Sequence, residues 1–266
     1  MRIWSLAPVV ALILQMSATV WGQSTVQQPA GEENISEKII NPIAFLMRMT
    51  LENKYSPSLW DTPGGENQVE GDWVIPSKFF NKPNLARIKV FFDTSETDGA
   101  HGLSEVQIFN LMLSQRSWGS FGVGISVQLN TQTSSSLGTV APGPAIGAVV
   151  RHRKWKYGLF NQNFLSDTLA QTDLQPILAY AFNKKWSSEI GDAQYTYDWK
   201  KHRITSIPLS GQLNRIVSFE KQDIHFFIRA QYEAKNDSGS DKWTIAAGSL
   251  SFCRNRSAAY PRNARE

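Results

Sequence analysis

Phe121, Val123, Ile125, Val127 and Leu129 alternate with Gly122, Gly124, Ser126, Gln128 and Asn130. Wound as a helix, these apolar groups would spread around the cylinder, whereas an extended strand lines them up on one face. The same period recurs along most of the chain. Ile43, Phe45, Met47, Met49 and Leu51 alternate with positions that include Arg48, Thr50, Glu52 and Lys54. Ala86, Ile88, Val90 and Phe92 oppose Arg87, Lys89 and Asp93, and Ile224, Phe226, Ile228, Ala230 and Tyr232 oppose His225, Arg229, Gln231 and Glu233. A period of two marks strands with one apolar and one polar face. It predicts about twelve strands, near 43–55, 66–79, 84–93, 102–115, 118–130, 139–152, 154–165, 172–182, 185–198, 203–218, 223–235 and 241–252. Turn-rich pieces such as Pro63-Gly64-Gly65, Asp98-Gly99, Thr133 to Gly138 and Asn236 to Ser240 separate them.

Strand length then discriminates between architectures. Strands of soluble proteins cluster near ~5–6 residues, whereas a tilted strand that crosses a bilayer needs ~9–11. Several of the segments above reach the longer figure, and in lipid only a closed barrel satisfies every backbone group of a sheet. The fold expected is therefore all-β, an antiparallel up-and-down transmembrane β-barrel of about twelve strands spanning residues 42–252. The chain's 266 residues are 41% hydrophobic and 19% charged, a balance that suits a barrel in which only alternate residues face lipid. Trp60, Trp73, Trp118, Trp155, Trp186, Trp199 and Trp243, with Tyr55, Tyr157, Tyr195 and Tyr197, fall near strand ends, where a barrel carries its aromatic girdles. The segments 102–115 and 154–165 carry large apolar groups on both faces, and 185–198 alternates little before Tyr195.

The N-terminus reads as an address. Arg2, the apolar run Ile3 to Leu14 and the small residues through Gly22 form a secretory signal over residues 1–22, too short to span a bilayer. Residues 23–41 read as a disordered lead-in with a short helical turn over Ile35 to Ile40, and 253–266 as a disordered tail. The expected destination is the outer membrane of a Gram-negative cell, reached through the periplasm. Outer-membrane lipid and the barrel-assembly machinery are the expected partners.

Several sequence blocks carry a family likeness: "NPIAFLMRMTLENKY", "NKPNLARIKVFFDT", "GLSEVQIFNLML", "WGSFGVGISVQL", "GPAIGAVV", "QPILAYAFNKKWS", "YTYDW" and "KWTIAAGSLSF". In their order and spacing they resemble the transporter family of Gram-negative outer-membrane barrels labelled as phenol-degradation meta-pathway or neuromedin-U-like proteins. The likeness covers residues 34 to 252. It implies a barrel of about twelve strands that passes small solutes, hydrophobic ones included, and it brings no agreed set of functional residues. One departure stands out: such barrels end on an aromatic residue, whereas Phe252 is followed by the basic tail "CRNRSAAYPRNARE".

Recognisable chemistry is sparse. The net charge is +4 with no basic run interleaved with aromatics, so no nucleic-acid partner is expected. Cys253 is the only cysteine and no Cys/His cluster has metal-ligand spacing, so neither an internal disulfide nor a metal or other cofactor is expected. There is no P-loop, dinucleotide fingerprint, G-x-S-x-G or H-E-x-x-H. His101 and Ser104 are the only close Ser/His pair and read as a solvated loop histidine beside a strand start, so no catalytic residue is assigned and an enzyme is not expected. The candidate site is a set of lumen-facing charges that would bind a small-molecule solute: Arg48, Glu52, Arg87, Lys89, Glu105, Arg229 and Glu233. The competing reading of the same charges is mutual pairing inside a plugged barrel. Two further readings of the chain remain, a structural or adhesion barrel that transports nothing, with loop 131–138 as its active part, and a soluble periplasmic β-sandwich binder.

Overall fold

In a computed structural model the described residues are 43–80, 82–95, 101–131, 139–218, 223–235 and 241–252. The signal, the lead-in to residue 41, most of the 131–138 loop and the tail expected from sequence lie outside them. Among the described residues every regular element is a strand: β1 (Arg48–Leu59), β2 (Glu66–Phe79), β3 (Lys82–Ser95), β4 (Gly102–Arg116), β5 (Gly119–Asn130), β6 (Thr139–His152), β7 (Trp155–Leu165), β8 (Ala170–Ala181), β9 (Trp186–Glu189), β10 (Tyr195–Asp198), β11 (Arg203–Ser206), β12 (Pro208–Ser218), β13 (Asp223–Glu233) and β14 (Asp241–Phe252). β9 and β10 both pair with β8, and β11 and β12 pair back onto β10 and β9, so each duo is one wall strand with an interruption. β1 pairs with β14 from Arg48↔Phe252 to Leu59↔Asp241, which closes the sheet. The result is an antiparallel closed barrel of 12 strands. Closure pairs the first strand with the last, so neither of them presents a free edge.

Hairpin geometry gives the barrel two unlike ends. β2–β3, β4–β5 and β6–β7 are each joined by two residues. Phe80 (φ 48°) and Arg153 (φ 55°) take the left-handed conformation that such tight primed turns demand. The turn end also holds the start of β1 and the finish of β14, and the connections at the other end, the loop end, are mostly longer.

The period-two pattern sorts the wall as expected. Met49, Leu51, Val123, Ile125, Ile146, Leu159, Leu178, Leu213, Ile228 and Ile245 stand exposed on the outside, while Arg48, Glu52, Glu70, Asp72, Gln128, Gln162 and Arg229 are buried inside. An apolar band outside a polar interior is the pattern of a lipid-facing barrel, the reverse of a sandwich. Aromatics ring both ends of the band. At the turn end Trp155 packs on Tyr180 and Tyr180 on Phe182, and Arg215 lies over Trp186. At the loop end Tyr232 packs on Trp243 and Trp60, and Tyr197 on Trp199. Trp73 departs from the girdle expectation. It lies along the strand over Gly71, where a Cβ would sit 2.6 Å from its ring.

The two doubly apolar segments have a structural cause. Inward-facing Phe109, Leu111 and Leu113 of β4 and Phe160 of β7 join Val74, Leu85, Ala145, Val149 and Ile177 in a core that fills part of the turn-end half of the lumen. Inward glycines on β5 and β6 make room for it: a Cβ on Gly122 would meet the Leu113 side chain at 2.8 Å, and one on Gly147 would meet the Phe160 ring at 2.6 Å. Gly147→Leu is expected to cost about 1–3 kcal/mol by overpacking, read as a lower temperature for loss of the heat-modifiable gel band.

The first strand begins later than the sequence suggests. The alternation begins at Ile43, but β1 begins at Arg48. Ile43 is fully buried in the core just described, Phe45 packs against it, and Leu46 packs on Ile216 and Leu250. Ile43 and Phe45 thus belong to an insert that closes on the interior, rather than to the outward apolar face that their spacing suggests.

Candidate functional site in the barrel lumen

The lumen has three zones. Nearest the loop end is a polar belt: Gln107 Nε2 and Gln128 Nε2 both donate to Glu105, Gln171 Nε2 donates to Gln128 Oε1 at 3.4 Å, and Thr196 Oγ1 donates to Asp173 at 2.8 Å. The apolar core lies toward the turn end. Between them, against β1, β2, β3, β9 and β13, lies a dense cluster of charge.

Most ions of the cluster are paired. Arg87 grips Asp72 with two bonds, Nε at 2.8 Å and Nη2 at 3.0 Å. Lys89 reaches Glu70 at 3.0 Å and also binds Asp192. Lys54 donates to Glu70 at 2.6 Å, and Arg229 pairs with Glu52. Glu189 accepts from Gln212 at 2.7 Å and Asn214 at 3.0 Å. Buried charge is tolerated only when paired and hydrogen-bonded, which this arrangement achieves across strands distant in sequence.

The seven candidates from sequence divide accordingly. Arg48, Glu52, Arg87, Lys89 and Arg229 meet in the cluster. Arg48, Glu52, Arg87 and Arg229 line one cavity with Glu70, Asp72, Asp192 and His225. Glu105 faces inward but belongs to the polar belt. Glu233 is buried at the other interruption, where it accepts from Ser206 Oγ at 3.0 Å and from the Ile207 amide. It caps the kink between β11 and β12 and takes no part in the cluster. Sequence reasoning did not select Glu70, Asp72, Glu189, Asp192, Gln175 or His225. Glu70 and Asp72 alternate with Val69 and Gly71, so their inward register was available in the pattern. Asp192 had no such signal.

Asp192 arrives by an unusual route. β9 ends at Glu189 and β10 begins at Tyr195, and the intervening residues leave the wall. Gly191 adopts φ +66°, and a Cβ there would meet the Arg229 side chain at 2.7 Å. The segment dips into the lumen and places Asp192 against Lys89, against Arg87 Nη2 at 3.5 Å and against Gln175 Nε2. Its weak alternation in sequence reflects this departure from strand geometry.

Beneath the dip is a cavity of ≈ 100 Å³, lined by the charges above and by Ile177, Leu178, Ile190, Phe227 and Leu250. A site of this size and polarity has room for several water molecules or a small solute. His225 is 2% exposed, and neither ring nitrogen has a hydrogen-bond partner within the protein; nor does Gln175 Oε1. Such atoms are costly to bury unpaired and mark places where another molecule can bind. No group of His, Cys, Asp and Glu among the described residues is arranged to hold a metal ion. Elsewhere, His101 is exposed and Ser104 Oγ donates to the Phe91 carbonyl at 3.2 Å.

No family model matches the chain, and no curated protein matches it. Solved structures with similar folds are barrels of outer membranes. Outer membrane phospholipase A from Escherichia coli is 8% identical, matches over 81% of this chain and 98% of its own, and has a TM-score of 0.49. The beta domain of the Bordetella autotransporter BrkA is 9% identical over 77% of this chain and 99% of its own, with a TM-score of 0.31. A variant porin of Rh. blastica is 9% identical over 77% and 98%, with a TM-score of 0.25. The expectation from sequence that the chain is not an enzyme is withdrawn, because a protein named as a phospholipase is among these neighbours. At such identities the likeness concerns architecture and transfers no activity to this chain.

Proposed function

We propose that this chain is a Gram-negative outer-membrane barrel that passes small solutes, hydrophobic ones included, along its lumen, with the turn end toward the periplasm. Short periplasmic turns and longer outer connections are the habit of such barrels, and the family resemblance in the sequence points the same way. The observation that carries the reading is the cavity within the charge cluster, where His225 and Gln175 keep polar atoms without protein partners. A lumen built only for stability would be expected to satisfy them. Arg48, Glu52, Arg87, Lys89 and Arg229 act together as the selective ring, and Glu105 lines the approach from the loop end.

The turn end of the barrel is stoppered by the insert carrying Ile43 and Leu46. An apolar constriction of this kind gates by excluding water. The double variant Ile43→Gly/Leu46→Gly is expected to raise single-channel conductance in planar bilayers about tenfold or more over the parent chain. Absence of current and of solute uptake into liposomes for both proteins would overturn the conduit reading in favour of a barrel that transports nothing.

A further inference from the structure

The interrupted wall has a second consequence. β8 pairs with β9 through Ala179↔Glu189 and with β10 from Leu174↔Tyr195, and the chain between those pairs has turned inward. On the far side β12 meets β9 only from Gln212↔Glu189 onward. A stretch of barrel wall therefore lacks its middle strand. In a sheet, such a gap strands the backbone N–H groups that would have faced the missing partner.

The sequence deals with this on both flanks. On β8 the even-numbered residues face β9 and β10: the Leu178 carbonyl accepts from the Ile190 amide, and the Ala170 carbonyl from the Trp199 amide. The even position opposite the gap is Pro176, which has no N–H to lose. On β12 the even-numbered residues also face β9, since the Ile216 amide donates to Lys185, whereas Ile207 bonds the other way, to Lys235 and Ala234. The even positions at the gap are Pro208, again without an N–H, and Ser210, whose Oγ ties this flank to the dip by donating to the Ile190 carbonyl. Proline inside a sheet is confined to edges and breaks. Two of them on facing flanks make the opening a feature the chain is built to hold.

The cavity reaches this opening. Its lining includes inward Ile177 and half-buried Ile190, but also Leu178, which stands on the exposed outer face of β8. We infer that the break between β8 and β11–β12 is a side entrance, through which a small uncharged amphiphile bearing a hydroxyl group passes between the bilayer and the luminal cavity. The chemistry follows from the lining. Apolar side chains border the mouth, Gln175 Oε1 requires a donor, the His225 ring can accept and donate, and Arg87 and Arg229 are already paired with Asp72 and Glu52. A hydroxyl serves both groups, and a charged ligand would unbalance the cluster. The inference rests on the barrel lying in a bilayer, as proposed above.

The test uses the full chain in liposomes with Cys253→Ser and a bimane label at one introduced cysteine. The sites are Ile190→Cys at the mouth, Ile228→Cys on the outer face and Gln128→Cys in the lumen. With lipids brominated on the acyl chains, strong quenching is expected at 228, none at 128, and quenching at 190 at least half that at 228. Quenching at 190 as low as at 128 overturns the side entrance. Failure of 228 to quench would instead overturn the barrel's place in the bilayer. Hexan-1-ol, which partitions into the bilayer, is expected to change emission at 190 saturably once the change at 228 is subtracted, with a midpoint at least fivefold higher in His225→Phe. A non-saturable response, or an unchanged midpoint, overturns the ligand assignment.

Discussion

Asp192→Ala is expected to lower the free energy of unfolding by about 3 kcal/mol, the lower end of the ~3–5 range for breaking a buried ion pair. Asp192 is the only carboxylate that the inward dip contributes, and it engages Lys89, Arg87 and Gln175 together. Its loss leaves two cations short of a counter-charge within a buried cluster. The cost stays at the lower end because Arg87 keeps both bonds to Asp72, and Lys89 keeps Glu70, although it shares that carboxylate with Lys54. Asp192→Asn preserves shape and one acceptor, so its cost should be about half. Urea unfolding of the protein folded into liposomes would measure both. A change below ~1 kcal/mol, the size expected of an exposed pair, would mean that water reaches the cluster freely.

Ile228→Arg is expected to cost about 2–4 kcal/mol, the penalty for a cation on the lipid face near the bilayer midplane. Ile228 is 56% exposed in the centre of β13, between outward Leu213 and Ala247. Nothing polar stands beside it to receive a guanidinium, so the side chain must stretch toward a headgroup region or thin the bilayer. Gln231→Arg, three residues along the same strand on the opposite face, should cost less than ~1 kcal/mol, as substitutions facing a wet lumen do. The comparison separates a barrel in lipid from a soluble β-protein, in which an exposed Ile228 would accept arginine at little cost. Equal, small effects at the two positions would overturn the membrane reading.

The strands were legible because each residue's face follows from its parity, which neighbouring positions report on repeatedly. Phe121 to Asn130 and Ile224 to Glu233 could be oriented without any structure, and Arg48, Arg87 and Arg229 were placed inward on that basis. What parity cannot report is which side chains meet. Arg229 and Glu52 pair across a separation of 177 positions, and no local pattern couples them. The insert at Ile43 to Met47 keeps a strand's alternation but is fixed by the core that receives it, so its spacing misleads. Asp192 was hidden for the opposite reason: the dip has no period at all. The silence of 185–198 was itself the trace of the interruption, and Pro176 and Pro208 on its flanks were its most specific marks.

The Arg229–Glu52 pair also bears on how the barrel assembles. Hairpins such as β4–β5 and β6–β7 join residues close in sequence and can form early and reversibly. The ion pair spans the seam of β13, β14 and β1, so it can form only when the last strand meets the first. Contacts of such sequence separation carry a large loop-closure penalty before they return any stabilisation, and they make folding slow. Until then β1 and β14 both present open edges, and Glu52 and Arg229 each lack their partner. The pair therefore acts as a latch on a late event, favouring the complete ring over partly zipped sheets and making the last strand's arrival the step that commits the molecule.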